Sequence, residues 1–195
     1  MVGQVLRDHS REKLLNAIAY FVQNTNACGK TKLYKLLYFF DFQHYTETGR
    51  SVTGLEYYAW PMGPVPRALH EELDLPAQDF ATQFEVENLV LRNGNPMLKL
   101  KPLKPFDPSH FSKRELRILE SLAREFRNSN AEQMVEETHV ENLPWDRVYK
   151  KEGRPQELIP YELALRKGDK EQFMGAIQED EEFRENYGDR RDVPP

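Results

Sequence analysis

KTKLYKLLYFFDFQHY, residues Lys30 to Tyr45, decides the fold. Nine of these sixteen residues are Leu, Phe or Tyr, and neither Pro nor Gly interrupts them. The run is too long and too dense for an exposed strand, so its spacing predicts a helix. At 100° per residue, Lys32, Lys35 and Gln43 fall on one narrow stripe. Leu33, Leu36, Leu37 and Phe40 form one apolar lobe, and Tyr34, Tyr38 and Tyr45 form a second. A helix that is apolar around most of its circumference has protein on most sides. The expected fold is therefore α+β: a mostly helical single domain around a central buried helix of about 30–47, with a small antiparallel sheet. Asp41 points away from the lysine stripe, between the two lobes. It is expected to be a buried polar structural residue, paired or hydrogen-bonded, because an isolated buried carboxylate is costly.

The chain has 195 residues, of which 39% are hydrophobic and 30% charged, enough for one domain with a real core. No run of about 18 apolar residues is present, so no membrane span is expected. The N-terminus lacks a signal-peptide core, and the single cysteine, Cys28, allows no internal disulfide. The expected compartment is the cytoplasm. Net charge is −5, and residues 169–192 hold nine acids against four bases, which leaves the rest of the chain neutral. A neutral body argues against broad phosphate-backbone binding without excluding nucleic acid. The division expected is a domain over 10–168 and an acidic C-terminal helix or tail over 169–195, the tail dispensable for folding of the body.

Outward from the central helix, Ser10 is expected to cap a first helix from Arg11 to about Gln23. Leu14, Leu15, Ile18, Ala19 and Val22 form its inward stripe. Gly49 suits a C-cap of the central helix. Gly54 to Trp60 reads as a strand or extended loop. Gly63-Pro64 reads as a turn, and a helix is expected from about Val65 to Leu73. Phe80 to Leu91 and Met97 to Leu100 read as strands joined by Asn93-Gly94-Asn95. Ser112 and Glu115 make a capping box for a helix to about Arg127. Asn130 opens a short helix to about His139, and Ile159-Pro160 to Lys167 is expected to be the last helix of the domain.

The search for chemistry is largely negative. Cys28 has no histidine near it in sequence. The five histidines are dispersed, with neither H-x-x-x-H nor H-E-x-x-H, and Glu136-x-x-His139 is a pair that could place two ligands on one helix face. Neither a Walker loop nor G-x-G-x-x-G is present. The expectation is no catalytic residue, no cofactor and no metal. Tyr57, Tyr58 and Trp60, followed by Pro64, Arg67 and His70, combine aromatic and guanidinium groups typical of interface hot spots. At least half of the aromatics are expected to be core, and the rest partner-binding.

Three features together carry a family likeness: KLYKLLYFFDF in the central helix, the G-x-x-Y-x-A-x-x-x-GPVP segment from Gly54 to Pro66, and Trp145 to Tyr149 followed by Ile159-Pro160. Over roughly Leu14 to Lys167 the chain resembles the Panacea domain, also called DUF4065 or the SocA-like antitoxin domain, and the phage-associated GepA proteins. The resemblance implies an α+β, non-enzymatic protein-binding module of bacterial and phage toxin–antitoxin operons, whose partner is a cognate toxin. It carries no catalytic residue over to this chain. Rival readings are a protease adaptor presenting a bound toxin, a DNA-binding autoregulator, and an enzyme built on Asp41. Oligomeric state is not legible.

Overall fold

The computed structural model describes residues 2–90, 94, 96–140, 143–166 and 168–187. Helix α2, Lys30–Thr48, sits at the centre. Twelve of its residues are buried, and Gly49 ends it in the left-handed region (φ 72°), its N–H returning to Tyr45 O. Around it pack α1 (Val2–Asn24), the amphipathic α5 (Lys113–Glu125), α6 (Ala131–Thr138) and two hairpins. The first hairpin pairs β1 (Tyr57–Trp60) with β2 (Gly63–Pro66). The second pairs β3 (Phe84–Val90) with β4 (Pro96–Pro102). The mostly helical α+β architecture matches the sequence reading.

Several boundaries differ, each for a local reason. α1 runs through Ser10, which is not a cap, because nothing between Gln4 and Arg11 breaks a helix. Gly63-Pro64 is not a turn. The chain reverses at Pro61-Met62, and Gly63–Pro66 is the returning strand, in register from Trp60↔Gly63 to Tyr57↔Pro66. Two prolines are tolerated there because β2 is an edge. The other edge of β1 is taken by residues 156–159, through Ala59 N to Glu157 O (2.9 Å) and Ile159 N to Tyr57 O (2.8 Å). Pro66 then stands at the N-cap of α3, Arg67–Asp74, two residues later than expected. Gln78–Gln83 is a short helix, α4, that puts Phe80 in the core, so the following strand begins only at Phe84. Residues 161–164 form one 3₁₀ turn in place of a last helix. The expected turn residues Asn93 and Asn95, and Lys167, lie outside the described residues.

Ion pairs join the outer elements to α1. Arg11 donates to Glu72 of α3 (2.8 Å) and to Asp79 of α4 (2.7 Å), and Lys13 to Glu115 at the start of α5 (2.6 Å). Ser112 and Glu115 form the reciprocal capping box, as do Asn130 and Gln133. Pro144–Asp146 (α7) is a single helical turn, and residues Asp169–Gln172 (α8) and Met174–Tyr187 (α9) are helical and lie over the end of α2. Phe173 fills the space a side chain at Gly49 would need, Ile177 is buried, and Asp180 accepts from Ser51 N (3.1 Å) and Ser51 Oγ (3.0 Å).

Asp41 is fully buried and accepts four hydrogen bonds: Val52 N (2.9 Å), Thr53 N (2.8 Å), Thr53 Oγ1 (2.5 Å) and Tyr57 Oη (2.7 Å). Burial raises the pKa of its carboxyl group above the usual carboxylate range, and these donors offset part of that rise. Replacing Asp41 with Ala should cost about 3–5 kcal/mol in urea unfolding, because several buried donors lose one acceptor together. A loss below about 1 kcal/mol would contradict this account. We propose that the tail stabilises the body without being needed for it to fold. A chain ending at Lys167 should still unfold cooperatively, with a midpoint roughly 5–10 °C lower. Non-cooperative melting, or an unchanged midpoint, would refute that division.

Candidate functional site

The hairpin β1–β2 is gripped from below by α2. At one end Tyr57 donates to Asp41, its ring edge-on to Tyr38 and Tyr161. At the other end Lys35 Nζ donates to Pro64 O (2.9 Å). The stripe that carries Lys32 and Lys35 is therefore not exposed; both lysines are 1% accessible. Lys32 Nζ donates to Asn26 O (2.9 Å), Arg127 O (3.2 Å) and Ser129 O (2.8 Å), satisfying carbonyls in the turns after α1 and α5. Lys35 has one carbonyl, and burial pushes its ammonium down to about 7. Gly63 is required twice over. Its φ is +94°, and a Cβ there would sit 2.7 Å from Thr138 Oγ1 and 2.9 Å from Lys35 Nζ.

Strand alternation divides the residues expected to bind a partner. Tyr57 is fully buried and Pro64 is buried, so neither presents a contact surface. The physical reason is that both are held by α2, through Asp41 and Lys35. Tyr58 and Trp60 face the other side and meet α3. The Arg67 guanidinium lies 6.0 Å from the Tyr58 ring centroid, and Trp60 meets His70 edge-on at 5.0 Å. His70 Nδ1 is 3.3 Å from Tyr34 Oη, and Arg67 is paired with Glu71 (3.0 Å). Four of the six residues thus come together on one face. Met62, 60% exposed at the hairpin tip, joins them and was missed, since a lone Met between Pro and Gly carries no motif.

Trp145 closes the hairpin from the side. Its Nε1 donates to Trp60 O (3.0 Å), and its ring is stacked between His139 (3.7 Å) and Tyr149 (4.7 Å). The His139 ring is thus engaged with Trp145. His9, Glu12 and His110 are the group of ligand type that the described residues bring within 4.8 Å. Glu12 Oε2 lies 3.8 Å from His9 Nδ1 and 3.3 Å from His110 Nδ1, and Asp107 flanks His110 at 3.7 Å. The Cys28 thiol is buried and pushed up to about 11, which removes it as a thiolate nucleophile near neutral pH.

On another side of α2 lies an open groove of about 850 Å³, lined by aromatic and aliphatic side chains of α2, α5 and the 3₁₀ turn. No described helix is long and apolar enough to cross a membrane.

A family model described as antitoxin SocA-like, Panacea domain, matches residues 33–146. The chain belongs to that family. The match is narrower than Leu14 to Lys167, yet it begins in α2 and ends just past Trp145. It takes in Lys35, Asp41, the whole β1–β2 hairpin and α3. In this Panacea domain the frame that grips the hairpin is therefore inside the matched region, and the 3₁₀ turn and α9 are outside it. No curated protein and no solved structure matches the chain.

Lys35 generates a pH dependence. Its pKa is 10.5 when unfolded and about 7 when folded, so above pH 7 the unfolded chain holds more protons and stability rises with pH. Below pH 7 both forms are protonated, and the contribution is absent. Above about pH 9 the raised Cys28 and tyrosine values act in the opposite direction. Urea unfolding at pH 7, 8 and 9 should show stability rising by up to about 1.4 kcal/mol per unit. Lys35→Met should flatten that rise; equal slopes in both proteins would exclude a titrating Lys35.

Proposed function

We propose that this Panacea domain is a non-enzymatic antitoxin that acts in the cytoplasm and neutralises a toxin encoded beside it by direct, stoichiometric binding. Membership of the SocA-like antitoxin family carries the reading. The hairpin supports it. Tyr58, Trp60, Arg67 and His70 form one face, with Met62 at its tip, on a strand pair held by Asp41, Lys35 and Trp145. A face already rigid loses little conformational entropy on binding, and aromatic and guanidinium groups are the usual energetic anchors. The neutral body suits a protein partner better than nucleic acid.

Co-expression with the adjacent gene, scored by growth and by purification through a tag on that gene's product alone, tests the proposal. The expected result is rescue with near one-to-one co-purification. Rescue at strongly sub-stoichiometric levels would favour a protease adaptor or an enzyme, and a harmless neighbour that never co-purifies would remove the antitoxin reading. Met62→Asp and Arg67→Ala, both at exposed positions, should weaken rescue while leaving the melting curve near wild type. Unchanged rescue would move the contact away from the hairpin.

A further inference from the structure

We infer that the groove beside α2 receives an amphipathic helix of the toxin, as a second contact separate from the hairpin; the inference rests on the antitoxin reading above. Three observations carry it. First, the hairpin face offers five accessible or half-accessible side chains, whereas a stable interface engages about 20–30 residues a side. The hairpin face alone falls short of that size, which leaves room for a second surface. Second, the groove has the shape and lining for a helix. Its floor follows α2 from Tyr38 through Phe42 to Thr46, a rise of about 12 Å, which is about two helical turns. Phe126, Leu163 and Leu165 add apolar walls, and Val140 and Leu143 stand on the rim, 49% and 37% exposed. A partner helix with apolar residues at i, i+3 or i+4, and i+7 would cover this strip.

Third, the rim is charged and carries no ion pair of its own. It is acidic at Glu125 of α5 and Glu137 of α6, and basic at Arg147 and Arg166. None of these four side chains makes an ion pair with another described residue, so all four are available to a partner. The occupant is therefore a helix with an apolar stripe, basic on the flank that meets α5 and α6 and acidic on the flank that meets Arg147 and Arg166. A second copy of this chain and a small apolar molecule are the competing occupants.

The test uses the full chain and the adjacent gene's product. Val140→Asp and Leu143→Asp place charge on the rim at exposed positions, and each melting curve should stay near wild type. Each should lower co-purification of the neighbour at least tenfold and weaken rescue. A photoreactive p-benzoylphenylalanine at position 140 should crosslink, and the linked peptide should map to a helical segment of the neighbour's product. If wild type rescues and both variants rescue and co-purify within twofold of it, the groove is not the contact and the antitoxin reading stands. Crosslinks confined to a second copy of this chain, or to a non-helical segment of the neighbour, would also overturn the inference. A wild-type chain that neither rescues nor co-purifies would overturn the antitoxin reading, and this inference with it.

Discussion

One carboxylate holds the architecture together. Asp41 lies in the middle of α2, between two apolar lobes, and it gathers two backbone amides, a threonine hydroxyl and a tyrosine hydroxyl. Without that acceptor the segment from Val52 to Tyr57 would bring four buried donors to the core unpaired. With it, the segment is drawn down onto α2, and the strand that begins at Tyr57 has a fixed starting point. Lys35, about a turn and a half earlier on the same helix, fixes the returning strand through Pro64 O. The acid and the amine face different partners and do not neutralise each other. Each is a buried polar tether, and the hairpin hangs between them.

Much of this was legible from local pattern. The central helix follows from the density of Leu, Phe and Tyr, and the burial of Asp41 from its angular position between two lobes. Ser112 with Glu115, and Gly49, mark ends through short-range hydrogen bonds that a few residues suffice to specify. What escaped was set by distant parts of the chain. Gly63–Pro66 looks like punctuation because proline is a poor strand residue. It is a strand because β1 needs one partner on that side and residues 156–159 supply the other. Lys32 and Lys35 look like a solvated stripe because lysine usually is one. They are buried because carbonyls from Asn26, Pro64, Arg127 and Ser129, remote along the chain, converge on them.

The proposed contact face was half legible for the same reason. Alternation along a strand says that Tyr57 and Tyr58 point opposite ways, but the side that α2 occupies is a tertiary fact. Asp41 decides it, by taking the Tyr57 hydroxyl. The groove left no mark in the sequence, since its lining comes from four separate stretches of chain. Its residues read, one at a time, as ordinary core.

The short link after α2 joins two helices that are far apart in sequence. Three consecutive amides, Ser51, Val52 and Thr53, all donate to carboxylates: the first to Asp180 of α9, the next two to Asp41 of α2. Neither helix can release its share without loosening the residue next door, so the link works as a mechanical splice. The exchange of these three amide protons with solvent is then a local clock for the whole junction, slow while both helices are seated and fast once either one lifts.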